Sequence, residues 1–275
     1  MPIINIKQMQ AIETEMLKET IDVLRKNDIV FYLAFGSVIG AVRHGGPIPW
    51  DADVDIVVPV SMMEKARICL EEGLSSRFMV HGLHNDKRYN LVFPRVALSP
   101  ETSFFLHVDI FPILGFPEDA DKQQRLSHRI DKCADRLRKK QFRKYIRHMS
   151  PIKNIIGKAI EILCSPLSCR ALGKRYYSMT EKYQYDTAET VYAGGGCYGT
   201  RNIMSKSFYG TPTWVDYCGF KAPIPEKFDA YLKHYYKDYM KFPPEEEQNK
   251  GLSLAYNISD ADYEKIKEVA ENESQ

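Results

Sequence analysis

Residues 34–56, AFGSVIGAVRHGGPIPWDADVDI, place an apolar run, a Gly-Ser pair, an Arg-His pair and three alternating aspartates in one short stretch. No other feature constrains the fold as strongly. In a strand, successive side chains point to opposite faces, so Asp53 and Asp55 share a face and Asp51 joins them where the strand begins. Carboxylates on neighbouring same-face positions repel one another, and a folded chain that gathers them needs something positive to hold between them. Two carboxylates roughly 7 Å apart along one strand suit one or two hard cations. Mg2+ fits, because it takes oxygen ligands and shares its shell between protein carboxylates and substrate phosphates, and Mn2+ accepts the same donors.

The flanking residues supply a partner for such a metal. IVFYLAF reads as a buried strand, since a short apolar run rich in bulky and aromatic side chains suits sheet packing. Gly36-Ser37 follows as a turn before a short helix through Ala41 and Arg43, which Gly45-Gly46-Pro47 breaks. DVDIVV then resumes as a strand. Backbone N–H groups at Gly36 and the Ser37 hydroxyl can face an anion at the positive end of that helix, and glycine leaves room for close approach. Arg43 offers a bidentate fork for phosphate oxygens, and His44 a donor or proton carrier. A third acid comes from HVDIF, where Asp109 interrupts an apolar strand in which an unpaired buried carboxylate would be costly.

Elsewhere the pattern is that of an ordinary globular chain. With 275 residues, 44% apolar and 27% charged, it can bury a substantial core and needs at most two domains. Ile6, Met9, Ile12, Met16, Ile21 and Leu24 follow a helical period over residues 5–26. Ser61 and Glu64 form a capping-box pattern for a helix to about Glu72. FMVH, NLVFPRVAL and FFLHVDIF read as strands. From Glu118 onward the chain reads as mainly helical, with Leu126, Ile130, Ala134 and Leu137 at helical spacing and a further helix in EKFDAYLKHYY after Pro225. The fold class is therefore α+β, with a catalytic core over residues 1–117 and a mainly helical region over 118–275 packed on it.

The six cysteines show no C-x-x-C pair, which argues against a zinc or disulfide framework. No stretch reaches the roughly 20 apolar residues of a membrane span and no leader pattern opens the chain, so the expected compartment is the cytoplasm. The net charge is only +2. Basic residues nevertheless concentrate between 122 and 158, and the segment RLSHRIDKCADRLRKKQFRKYIRH is expected to touch an anionic membrane surface peripherally, through Arg138, Lys139, Lys140, Arg143 and Lys144. No nucleic-acid partner is expected.

The order strand, Gly-Ser, short helix, paired-acid strand and later acidic strand resembles the nucleotidyltransferase-fold superfamily. More narrowly, GSVIGAVRHGGPIPWDADVDI is similar to the hallmark segment of the LicD family, the phosphocholine transferases of bacterial glycan decoration and their relatives. HVDIFPI resembles that family's second segment, and YYKDYMKFPPEE its C-terminal element. Ala52 stands where an additional acid is common, and Lys237 where a glycine is usual.

This resemblance implies a mixed sheet flanked by helices and a transfer from a CDP-linked donor to a glycan or lipid-linked glycan hydroxyl, with CMP released. It implies Mg2+ held by Asp53, Asp55 and Asp109, with Asp51 as a further ligand, and a diphosphate cradled by Gly36, Ser37 and Arg43. Asp109 would bring the acceptor hydroxyl to the metal or take its proton. A nucleotidyltransferase that uses an NTP and releases pyrophosphate employs the same acids, and an inactive scaffold would keep the fold without them. Tyr176-Tyr177 and Tyr235-Tyr236 suit a quaternary ammonium head group or, more ordinarily, a core. Gly194-Gly195-Gly196 reads as a loop near the donor or a surface linker.

Overall fold

The computed structural model describes residues 1–140, 167–195 and 198–272. Strand β1 (Ile3–Asn5) leads directly into helix α1 (Ile6–Lys26). Asn5 caps that helix by accepting the Gln8 N–H, while the Gln8 side chain accepts the Asn5 N–H, each at 3.0 Å. Arg25 and Lys26 in the last turn complement the helix dipole. Strand β2 is only Tyr32–Leu33, shorter than IVFYLAF predicts, because Phe35 already opens helix α2 (Phe35–His44). Gly45, at φ 65°, closes α2 in the left-handed conformation that glycine adopts without steric cost.

Strand β3 (Val54–Pro59) follows the acidic loop. Ser61, expected to open the helix, lies instead inside a 3-10 turn, Val60–Met62, and helix α3 (Met63–Gly73) starts from Met62 without a side-chain cap. Glu64 accepts from Arg67, one turn along the helix. Strands β4 (Met79–His81) and β5 (Arg95–Ala97) come next. The expected strand NLVFPRVAL is reduced to its last part, since Pro94 has no N–H to give a ladder. Strand β6 (His107–Phe116) starts after a 3-10 turn at Thr102–Phe104, and all ten of its residues are buried.

Helix α4 (Ala120–Lys139), capped by the Asp119 carboxylate on the Lys122 N–H, is followed by α5 (Cys169–Ser178) and strands β7 (Thr190–Ala193) and β8 (Ile203–Ser205). The hairpin β9 (Thr213–Tyr217) and β10 (Phe220–Ile224), helices α6 (Phe228–Tyr236) and α7 (Glu245–Leu252), strand β11 (Ala255–Asn257) and helix α8 (Asp260–Asn272) complete the chain. Among the described residues, the second half thus adds five short strands to its helices. Helix and strand are both well represented, in an α+β arrangement.

Two compact units emerge. The first comprises Met1–Val80, Arg95–Phe111 and Lys206–Gln275, the second His81–Pro94 and Pro112–Ser205. In the first, β2 pairs antiparallel with β3, Leu33 opposite Ile56, and β5 pairs antiparallel with β6, Arg95 opposite Asp109. The sheet order is β2-β3-β6-β5, so the two acid-bearing strands are neighbours. The buried stripe of α1 and the rings of Phe35, Phe111, Tyr231 and Tyr235 fill this unit's core, with Phe35 edge-on to Phe111 at 5.3 Å and to Tyr235 at 5.2 Å. In the second unit, β7 pairs with the 113–116 half of β6 and with β8, while α4 packs Leu126, Ile130, Cys133 and Leu137 inward.

Candidate functional site

The acids are assembled by the two ends of α2. At its start, the Ser37 Oγ accepts the Asp55 N–H and the Ala34 N–H donates to the Asp55 carbonyl, both at 2.9 Å. Phe35 holds a left-handed φ of 47°, strained for a side chain of that size, and its N–H donates to the Tyr231 hydroxyl at 3.1 Å. At the other end, the return loop approaches closely: a Cβ on Gly40 would lie 2.5 Å from the Gly46 carbonyl oxygen, and a Cβ on Gly36 would lie 3.1 Å from Asp51 Oδ2. Gln10 on α1 fastens the loop by donating to the carbonyls of Ile48 (2.8 Å) and Asp51 (2.7 Å). Gly36, Ser37, Asp51 and Asp55 are thereby brought together, while Asp53, expected on the strand with Asp55, lies exposed in the loop just before β3.

Asp109 is not an unpaired acid. Its two oxygens take a fork from Arg95, Nε on one and Nη2 on the other at 3.2 Å, and His107 Nε2 stands 3.5 Å away. Burial would raise its pKa, but the charges and hydrogen bonds of Arg95 and His107 outweigh burial and bring it down to about 2. Its neighbours behave oppositely. Burial, then the charges of Asp109, Asp53 and Asp51, push Asp55 well above the carboxylate range, with only partial relief from Arg95. Asp51 rises to about 6 through burial and the charge of Asp53, against hydrogen bonds from the Ala52 and Asp53 backbone.

A site whose acids oppose each other's ionisation is one that a cation would relieve. Among the described residues, no group of three or more His, Cys, Asp or Glu side chains is set to hold a metal ion as arranged. The donor set is nonetheless all-carboxylate oxygen, half-buried at Asp51 and Asp55 and open at Asp53, the chemistry that suits Mg2+ or Mn2+. Asp51, Asp53 and Asp55 are the residues that would hold it, with Asp109 on the adjacent strand.

Arg43 and His44 lie at the C-terminal end of α2. The Arg43 Nε donates to His44 Nε2 and its Nη1 to the Tyr239 carbonyl, both at 2.9 Å, and its guanidinium lies over the Phe242 ring at 4.5 Å and near Trp50 at 5.8 Å. Two of the fork's nitrogens are therefore spoken for. Burial and the Arg43 charge lower the His44 pKa, so its ring accepts from Arg43 in the neutral form. Of the tyrosine pairs, Tyr176 and Tyr235 are fully buried, which assigns them to the core. Gly194 donates to the Pro112 carbonyl at 2.7 Å, and Gly196 lies outside the described residues.

Sequence reading missed Gln10, Glu13, Arg95, His107 and Tyr217. Arg95 carried a signal, being a lone cation in the apolar run VFPRVAL that only a buried acid could justify. Glu13 carried another, since it lies four residues from both Met9 and Leu17 and so falls inside the buried stripe of α1. Tyr217 lies in a hairpin remote in sequence and had none.

Residues 28–153 match the family described as LicD/FKTN/FKRP, nucleotidyltransferase domain. The chain is 23% identical over 272 residues to the lipopolysaccharide cholinephosphotransferase LicD of Haemophilus influenzae, covering 89% of this chain and 95% of that protein. It is 31% identical over 117 residues to the human ribitol 5-phosphate transferase FKRP, covering 42% of this chain and 23% of that protein. An uncharacterized Rickettsia prowazekii protein shares 45% identity over 42 residues, 15% of this chain and 16% of its own. Asp51 and Asp53 in the loop before β3, Asp55 on β3, Asp109 on β6 and the Gly-Ser start of α2 all lie within residues 28–153, the stretch that matches the nucleotidyltransferase domain of the LicD/FKTN/FKRP family.

Proposed function

We propose that the protein moves a substituted phosphate group, phosphocholine-like in character, from a CDP-linked donor to a glycan hydroxyl, with Mg2+ in the site and CMP released. The observation that carries this reading is the acid cluster Asp51, Asp53, Asp55 and Asp109 beside the N-terminus of α2, which runs from the exposed Asp53 to the buried Asp109. Relatives named as a cholinephosphotransferase and a ribitol-phosphate transferase support a phosphate-linked group as cargo and a lipopolysaccharide or other glycan as acceptor.

In this reading Asp53 and Asp55 hold the metal, with Asp51 as a further ligand, and the metal supplies charge neutralisation to the phosphates. Gly36 leaves space at the helix end for a phosphate, and Ser37, whose oxygen already accepts the Asp55 N–H, still has its own O–H to donate. Arg43 meets the donor with its remaining fork nitrogen. Asp109, kept ionised by Arg95, contributes charge and orientation; a carboxylate with a pKa of about 2 is a weak base, so it is poorly matched to taking the acceptor proton.

No helix among the described residues is long and apolar enough to cross a membrane. On α4, Lys122, Arg125, Arg129, Lys132 and Arg136 recur at three- and four-residue spacing on a face distinct from the buried stripe. Arg129 also lines a groove with Arg175 and Lys182. This basic face supports peripheral contact with an anionic surface; Arg143 and Lys144 lie outside the described residues.

Incubation of the protein with CDP-activated choline, ethanolamine or alditol donors, Mg2+ and a glycan extract tests the reaction. CMP release that depends on donor and acceptor is the expected result. Pyrophosphate from an NTP, with no CMP from any CDP donor, would transfer the chain to the nucleotidyltransferase reading.

A further inference from the structure

Among the described residues, two buried side chains next to the acid cluster each carry an oxygen without a hydrogen-bond partner. Glu13, on α1, is 1% exposed and its Oε1 is unpartnered; Tyr217, at the end of β9, is fully buried and its hydroxyl is unpartnered. Leaving such groups unsatisfied is destabilising, more so for a charged one, so an orphan in a folded protein calls for an explanation. Neither belongs to the 28–153 stretch.

Their placement supplies it. Gln10, one turn before Glu13 on the same face of α1, already grips the Asp51 carbonyl. Glu13 takes a backbone N–H from His107, two residues before Asp109 on β6. Tyr217 precedes Cys218, whose N–H donates to the Gly45 carbonyl at 2.7 Å, at the root of the acidic loop. Glu13 and Tyr217 thus border the same acids from α1 and from the β9–β10 hairpin. Consistent with this, burial and then the charge of Asp53 raise the Glu13 pKa, while burial leads the rise at Tyr217, with Glu13, Asp51 and Asp55 among the contributing charges.

We propose that Glu13 and Tyr217 complete the divalent-cation site from its buried side, as positioning residues that hold the water ligands of the cation with the Glu13 carboxylate and the Tyr217 hydroxyl. Mg2+ keeps several waters when it binds protein carboxylates, and those waters need oxygen partners in the surrounding shell. A carboxylate supplies acceptors and negative charge; a phenol supplies an acceptor and a donor. This inference rests on the metal-dependent reading above.

The test is calorimetric titration of the full-length, EDTA-stripped protein with Mn2+ and with Mg2+, without donor. Glu13→Gln keeps the size of the side chain and removes its charge, so it is expected to weaken cation binding by about tenfold or more, the usual cost of losing an outer partner of a metal site. Its metal-free melting temperature should not fall. Tyr217→Phe should give a smaller loss in the same direction. Wild-type affinity in Glu13→Gln would overturn the proposal and make Glu13 a neutral packing residue. Should Glu13→Gln fail to fold, unchanged affinity in Tyr217→Phe overturns it equally. Absence of cation binding by the wild-type protein would instead remove the metal-dependent reading, and this proposal with it.

Discussion

The Ser37 hydroxyl oxygen accepts the backbone N–H of Asp55 at 2.9 Å, tying the first turn of α2 to the acid strand β3. The helix end suited to an anion and the carboxylates suited to a cation are therefore one rigid piece. Ser37→Ala leaves the buried Asp55 N–H without that acceptor and should cost about 1–3 kcal/mol, with a fall in transfer rate. Restoration of both by Ser37→Thr, read by urea melts and CMP release, would fit the positioning role; a stable but slow Ser37→Ala would assign the hydroxyl to substrate.

Asp53→Asn and Asp55→Asn should each lower turnover by about a hundredfold or more, the scale lost with one electrostatic stabiliser. The metal-free Asp55→Asn protein should melt no lower than wild type, because the native carboxyl is buried among like charges that oppose its ionisation. CMP release at the wild-type rate by both variants in saturating Mg2+ would exclude these acids from the chemistry.

Arg95 and Asp109 form a buried pair, so Arg95→Met strands a charge and should destabilise the protein by about 3–5 kcal/mol at neutral pH. The sign of the pH dependence follows from the Asp109 pKa, lowered from 3.8 to about 2. A depressed carboxylate contributes its stability above the unfolded value and loses it as pH falls through the folded one. The gap between wild type and Arg95→Met in EDTA should thus be constant above about pH 5 and narrow below pH 4. A gap unchanged down to pH 2 would rule out the ion pair as its source.

Asp51 gives the opposite slope. Its pKa rises from 3.8 to about 6, so the folded state holds the proton more tightly than the unfolded chain. Its contribution is full below the unfolded value and is lost as pH rises through about 6. In EDTA, wild type should lose stability relative to Asp51→Asn between pH 4 and pH 6.5, and saturating Mg2+ should abolish the difference. Parallel denaturation curves across that range would show that Asp51 is not strained by its neighbours.

Replacing Lys122, Arg125, Arg129, Lys132 and Arg136 with Gln should abolish binding to anionic vesicles, each cation contributing on the order of 1 kcal/mol near such a surface. Wild-type binding should weaken as salt shortens the screening length to about 10 Å at 0.1 M. Hydrolysis of a soluble donor should be unaffected. Failure of the wild type to bind at low salt would leave this row of cations as a solvated helix face.

Local events were legible along the chain: the α1 stripe, the short α2 closed by Gly45, the alternating acids that lead into β3 and the buried acid of β6. Each is written in neighbouring residues, as a period of 3.6 or 2 or as a glycine at a turn. What the sequence left open depends on pairing across distance. The Ser61–Glu64 pattern did not set the helix start, because Ser61 is taken into a 3-10 turn and α3 begins from Met62. IVFYLAF shrank to two strand residues because Tyr231 and Tyr235, about two hundred positions away, hold Phe35 at the strained start of a helix. The register that sets Arg95 opposite Asp109 turned an expected lone acid into half of an ion pair. Glu13 and Tyr217 reach the acids only once α1 and the β9–β10 hairpin have packed around the loop. Local geometry repeats every few residues; burial and charge compensation are sums over whatever the fold brings near, and those neighbours are settled by packing across distance.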